Sequence, residues 1–214
     1  MKNKIKYIIW DWNGTLFNDV QLGVDIINNL LKDNNLPQIT FDKYRDIFTF
    51  PVSDYYQIAG FDFNKTSFEI LGKKFMDEYE RRKYEMNLFE GAREVLELAR
   101  SRGIKQSVLS AYKQDTLVEI LNHYKISEYF ESIMGLDNIY AGSKEHLGIE
   151  LRKKLTYNED EILFVGDTLH DADVAKAMNV KCILISKGHQ SQKKLLENGN
   201  VVLSDISELK NIIG

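Results

Sequence analysis

The chain has 214 residues, 43% of them hydrophobic, with a net charge of −4. That is enough apolar material for one large domain, or for a domain plus a smaller one. Lysines are interleaved with aspartates and glutamates and form no basic stripe, which argues against nucleic acid or an anionic membrane as a partner.

Cys182 is the single cysteine, so an internal disulfide and a thiolate zinc cluster are excluded. It lies in the apolar run CILIS and reads as a small buried hydrophobe. The stretch MKNKIKYIIW before Asp11 is too poor in apolar residues for a signal peptide, and no run is long enough to span a bilayer. A cytoplasmic protein, monomer or homodimer, is the expectation.

In chain order, Tyr7–Trp10 is an apolar run that reads as a buried strand ending at Asp11. Residues 18–90 then lack a convincing strand. Val20, Val24, Ile27 and Leu31 recur at helical spacing, and so do Phe68, Leu71, Phe75 and Tyr79. This segment reads as a helical cap domain inserted after the first strand, the core being 1–17 and 91–214. Its many tyrosines and phenylalanines read as core. Beyond it, Glu94–Arg100 is amphipathic and Gly103 suits its C-terminal stop. Strand-like runs follow at Ser107–Leu109, Ser132–Met134, Ile162–Val165 and Lys181–Ile185. Helical patterns at Thr116–His123, Lys144–Leu155 and Asp173–Met178 separate them, and Val201–Leu203 suits an edge strand. The alternation predicts an α/β fold: a Rossmann-like three-layer core with a parallel sheet between helices.

In an open parallel sheet, ligands bind beyond the carboxyl ends of the strands. Those positions hold Asp11, Ser110 in VLSAY and Asp167 in FVGDTLHDAD, with Asp171 close behind, and between the third and fourth strands Lys144 opens a helix in AGSKEHLG. The set suits phosphoryl transfer. A carboxylate can attack phosphorus and divide one hard displacement into two. The attacking and transferred groups are both anionic, so a hard divalent cation on carboxylate oxygens is needed. A lysine and a hydroxyl can hold the phosphoryl oxygens. Taken singly, each residue has an ordinary reading as a cap, a turn residue or a solvated side chain. Asp171, for one, would suit the N-cap of a helix starting near Ala172. Their order along the strand ends is what counts.

DWNGTL, VLSA, the lysine of AGSK and GDTLHD resemble the four motifs of the haloacid dehalogenase superfamily, over the span from Asp11 to Asp171. The insert sits where phosphoglycolate phosphatase-like members carry a small helical cap. The resemblance implies a phosphatase for a small phosphorylated metabolite, with Mg2+ as cofactor and an aspartyl-phosphate intermediate. It makes Asp11 the nucleophile and a metal ligand, with Asp167 and the backbone carbonyl of Asn13 as further ligands. Asp171 would bind the metal through water or orient Asp167. Trp12, Asn13, Ser110, Ala111 and Lys144 would hold the phosphoryl group, Lys144 would also restrain Asp11, and Thr15 would support the turn. Gly14 lets that turn present backbone N–H groups to the phosphate.

One position departs from the pattern. Phosphatases of the superfamily usually have a second aspartate two residues after the nucleophile, which protonates the leaving alkoxide and then activates water. Here it is Asn13, and an amide has no proton to exchange. General acid–base help is typically worth about 10²–10⁴-fold. Three explanations stand. His170 takes over the role; the substrate has a good leaving group; or the protein binds a phosphorylated ligand with little turnover. Dehalogenases of the superfamily also lack this aspartate but need no metal, and the pair Asp167 and Asp171 favours a metal enzyme. For substrate choice, the expectation is the turn TFPVSDYY, stiffened by Pro51, with Arg45 just upstream pairing an acidic substrate group.

Overall fold

The computed structural model describes residues 5–140, 142–197 and 199–214. Six parallel strands make one sheet: β1 (Tyr7–Trp10), β4 (Lys105–Lys113), β5 (Ser132–Leu136), β6 (Ile162–Gly166), β7 (Lys181–Ile185) and β8 (Val201–Leu203). Their order across the sheet is β5-β4-β1-β6-β7-β8. β1 and β6 are buried along their whole length, as their unbroken apolar runs require. Burying each large apolar side chain there contributes about 1.5–3 kcal/mol.

The register decides where the site lies. Trp10 pairs with Val108 on one side and with Val165 on the other. Asp11 and Asp167, just past β1 and β6, are therefore neighbours, and Ser110 lies beside them within β4, which runs on to Lys113 rather than ending at Leu109 as expected. α5 (Ala92–Ser101), α6 (Gln114–His123), α7 (Glu145–Lys154), α8 (Leu169–Ala177), α9 (Gln192–Leu196) and α10 (Lys210–Ile213) lie in the connections. Two apolar clusters pack the two faces of the sheet. One gathers Ile8, Trp10, Val108 and Leu163; the other gathers Ile9, Leu109, Phe164 and Val174.

A two-stranded antiparallel ribbon, β2 (Phe17–Asn18) and β3 (Asn87–Leu88), closes the segment between β1 and α5. Between its strands stand α1 (Val20–Asp33), α2 (Phe41–Ile47), α3 (Val52–Ala59) and α4 (Phe68–Arg82). They bury a cluster of their own around Val24, Ile27, Leu31, Tyr44, Tyr55 and Leu71. The helical spacing of the insert thus becomes a packed face, while the ribbon at its two ends is a departure from the expected absence of strands.

Helix starts differ most from expectation. α8 begins at Leu169, not Asp173, because Thr168 is its N-cap and Asp171 reaches back from the third helical position to complete a capping box. Cys182 is half-buried against the second sheet cluster, and burial pushes its thiol up. Among the described residues, no helix is long and apolar enough to cross a membrane.

Candidate functional site

Asp11 leaves β1 with its N–H donated to the Val165 carbonyl at 2.8 Å, which ties its backbone to β6. Asp11, Asp167 and Asp171 are buried, and each offers a carboxylate oxygen within 4.8 Å of the others. Lys144 precedes α7 and is 2% exposed. Its Nζ donates to Asp11 Oδ1, to Asp171 Oδ1 at 2.7 Å and to the Leu109 carbonyl at 3.0 Å.

Burial pushes the Asp11 carboxyl up to about 6, against the pull of Lys144. Burial also raises Asp167 well above its ordinary value, with His189 opposing. For Asp171 burial is outweighed by Lys144, and its carboxyl lies below its ordinary value. Lys144 is itself held above its usual value by Asp11 and Asp171 in spite of burial. The electrostatic balance leaves surplus carboxylate at Asp11 and Asp167, a hard-oxygen donor set that a divalent cation would relieve.

Each carboxylate is positioned by its neighbours. Asp171 Oδ2 accepts the N–H groups of Asp167 and Thr168 and the Thr168 hydroxyl, at 3.1, 2.9 and 2.7 Å. Both of its oxygens are thus engaged within the protein. Thr15 Oγ1 donates to Asp167 Oδ1 at 3.1 Å. Gly14 has φ +72°, and a Cβ there would lie 2.3 Å from Asp167 Oδ2. Gly188 meets the same constraint from the other side, 2.2 Å from the same oxygen. Both positions need glycine for close approach.

The Asn13 amide is held by groups outside the carboxylate trio. Nδ2 donates to Asp19 Oδ2 and to the Tyr79 hydroxyl, each at 2.8 Å. Asp19 is 2% exposed and also accepts from Tyr79 Oη at 2.7 Å and from the Gly14 N–H at 2.9 Å. His189 Nε2 lies 3.3 Å from Asp19 Oδ1, its Nδ1 lies 2.9 Å from the Tyr44 hydroxyl, and its backbone N–H donates to Asp167 Oδ2 at 2.6 Å. Burial opposes an imidazolium here, but Asp19 prevails and raises His189 to about 9. Asp19 in turn is held below its ordinary value, His189 outweighing burial.

Asp19 and His189 were not among the residues expected at the site. A signal was present for each. Asp19 closes the same stretch as Asp11, in LFND, and His189 follows β7 in SKGHQ, a strand end like the others.

The expected residues sort as follows. Ser110 and Ala111 line the cleft with Asp11, Asn13 and Lys144. Ser110 Oγ accepts the Tyr112 N–H at 3.0 Å. The Trp12 ring does not face the cleft: it is fully buried and stacks on Phe17 at 4.9 Å. His170 lines the cleft, yet its ring stacks on Phe50 at 4.6 Å and burial lowers its pKa. The groups in contact with Asn13 are instead Asp19 and Tyr79. Arg45 corrects the expectation most clearly. Its guanidinium is consumed by the backbone carbonyls of Ser186, Gly188 and Gln190, Nε meeting the second at 2.9 Å. It staples α2 to the loop after β7. Pro51 is exposed, while Phe50 and Val52 on either side of it line the cleft.

The model for haloacid dehalogenase-like hydrolases matches residues 8–185. The phosphoglycolate phosphatase of Pseudomonas fluorescens is 26% identical over 119 residues, 55% of this chain and 44% of that protein. Tyrosine-protein kinase PtkA of Mycobacterium tuberculosis is 24% identical over 212 residues, 97% of this chain and 72% of that protein. The chain spans about half the length, or less, of the phosphoglycolate phosphatases it matches first (44% and 50%). Among solved structures, a predicted phosphatase from Clostridium acetobutylicum superposes with a TM-score of 0.81 at 19% identity, covering 98% of both chains. PtkA superposes with a TM-score of 0.80 at 22% identity, covering 99% of both; these likenesses bear on the fold. With the family model matched from β1 to the end of β7 and the motif residues gathered at one cleft, the chain belongs to the haloacid dehalogenase-like hydrolases.

Proposed function

We propose that this protein is a magnesium-dependent phosphatase for a small phosphorylated metabolite, with the helical unit 18–90 serving as a cap over the core of 1–17 and 91–214. The observation that carries this reading is the buried trio Asp11, Asp167 and Asp171 with Lys144 bridging the first and the third. Asp11 attacks phosphorus through a carboxylate oxygen. The bond from phosphorus to the leaving oxygen breaks, and an aspartyl-phosphate forms. Water then attacks that phosphorus, giving back the carboxylate and inorganic phosphate.

Lys144 fixes the Asp11 side chain and, with Ser110 and the backbone around Ala111, holds the phosphoryl oxygens. Asp11, Asp167 and the Asn13 carbonyl are the groups that would hold Mg2+. When bound, the ion offsets the repulsion between the carboxylate and the phosphoryl group. Asp171 acts through others, by orienting Asp167 and Lys144. Asn13 supplies neither the proton for a poor leaving group nor the base for water, so the second step is the slower one.

Acetyl phosphate tests the reading, because it needs neither an acid nor a fitted leaving-group pocket. The expected result is phosphate release that requires Mg2+, stops on chelation and is lost in Asp11→Asn, with one phosphoryl group on the intact protein by mass spectrometry. Release indifferent to Asp11→Asn would sink it.

A further inference from the structure

We propose that the leaving group this cleft accepts is a phenol-type ring, so that the substrate is an aryl phosphate monoester; this rests on the phosphatase reading above. Two independent features converge on it, one at the reacting atoms and one in the insert.

The first is chemical. The side chain two residues past the nucleophile is an amide, and it donates to Asp19 and Tyr79. It has no proton for a departing alkoxide, a service worth about 10²–10⁴-fold. An alkoxide is nearly as basic as hydroxide, whose parent acid has a pKa of about 15.7. A phenolate, with a parent pKa of about 10, leaves without that help. The balance is complete with water as the only co-reactant. Asp11 forms the O–P bond as the aryl O–P bond breaks, and the aryl oxygen departs as phenolate. Water then cleaves the aspartyl-phosphate, and the proton it releases is taken up by the phenolate in solution. The products are the phenol and hydrogen phosphate.

The second is steric and electrostatic. The wall facing the carboxylates is built from the insert, chiefly Phe48, Phe50, Tyr56, Phe68, Phe75 and Met76. The cleft, phosphoryl site included, holds about 150 Å³, room for a small leaving group against that wall. Stacked or edge-on rings line it, as between Phe50 and His170 at 4.6 Å. Among the described residues lining it, the buried cations are already engaged. Lys144 bonds Asp11 and Asp171 and His189 faces Asp19, while the Lys113 side chain is 40% solvent-exposed at the rim beside Asp115. Arg45 is held by carbonyls outside the cleft. Among the described residues, the buried unpaired polar groups lining the cleft are the neutral Tyr55 hydroxyl and His170 Nε2. A second anionic group, such as the carboxylate of phosphoglycolate, therefore finds no buried unpaired cation there, whereas a neutral ring finds a matching wall.

The test compares kcat/KM for phenyl, benzyl and n-propyl phosphate and phosphoglycolate in Mg2+, with acetyl phosphate as reference. Phenyl phosphate is expected to exceed n-propyl phosphate by about 10²–10⁴-fold. Benzyl phosphate, which has the ring but leaves as an alkoxide, should exceed n-propyl phosphate by about tenfold through ring burial alone. In Asn13→Asp the ratio of phenyl to n-propyl should shrink, since an acid is restored. Phosphoglycolate or n-propyl phosphate turned over as well as phenyl phosphate, with the acetyl phosphate reference intact, overturns the proposal. Benzyl and n-propyl phosphate indistinguishable overturns the ring pocket, and a ratio unmoved by Asn13→Asp overturns the role given to the missing acid. If acetyl phosphate itself is inert, the phosphatase reading beneath it falls instead.

Discussion

Replacing Asp19 by asparagine removes the one carboxylate that faces His189 Nε2, at 3.3 Å, while keeping its size. The imidazole rises from an ordinary value of about 6.5 to about 9 against burial, with Asp19 contributing most and Asp167 and Asp11 adding to it. A shift of that size corresponds to about 3 kcal/mol of stability. Breaking a buried ion pair by removing one partner costs about 3–5 kcal/mol, so the two routes agree. The sign follows from the direction. A raised imidazole pKa stabilises the fold fully below the unfolded value near 6.5, and that contribution is lost as pH rises through about 9. Urea unfolding of wild type and Asp19→Asn at pH 7 and pH 9.5 reads both quantities. Wild type should be more stable by about 3 kcal/mol at the lower pH, and the gap should narrow by most of that at the higher. A gap equal at the two pH values, or below about 1 kcal/mol at pH 7, would show that Asp19 and His189 are not an ion pair.

Magnesium should stabilise the protein. At a hundredfold excess over Kd the gain is about 2.7 kcal/mol, a Tm rise of about 5–10 °C for a chain of this size. Because burial raises Asp11 to about 6, the protonated carboxyl favours the fold, and stability without metal falls as pH rises through that value. The magnesium gain should therefore be larger at pH 7 than at pH 5 and absent in Asp167→Asn, as differential scanning fluorimetry will show. Gly14→Ala places a Cβ 2.3 Å from Asp167 Oδ2 at φ +72°; a cost of about 1–3 kcal/mol and loss of the magnesium-induced Tm rise are expected. Arg45→Lys keeps the charge but not the fork that reaches the loop carbonyls. Urea unfolding should show a loss of about 1–3 kcal/mol, whereas a substrate-reading arginine would change KM and leave stability alone. In rapid-quench kinetics with phenyl phosphate, phenol should appear as a stoichiometric burst before a slower steady state, because Asn13 leaves the water without a base. A linear time course from the first turnover refutes that.

The sheet was legible because β1 and β6 lie buried in mid-sheet, and such strands must be apolar throughout. The polar residue that ends each run then marks the binding edge. Asp11, Ser110 and Asp167 could be read that way, and the register of β1, β4 and β6 brings them side by side, while Lys144 arrives from the start of α7. Thr168 shows where local reading fails. Either Thr168 or Asp171 can cap a helix, and only the capping box between them sets the start of α8. The roles of Arg45 and His189 were decided by tertiary structure alone. A guanidinium can bind an anion or a row of carbonyls, and the loop after β7, about 140 residues away in sequence, supplied the carbonyls. An imidazole at a strand end is ordinary until a buried carboxylate faces it, and Asp19 comes from the far side of the turn after Asp11. By itself the sequence determined which chemical groups stand at the carboxyl edge and that the usual acid is missing beside Asp11. The tertiary structure decided what surrounds that gap, because burial, pairing and the aromatic wall are properties of segments that meet only when the chain is folded.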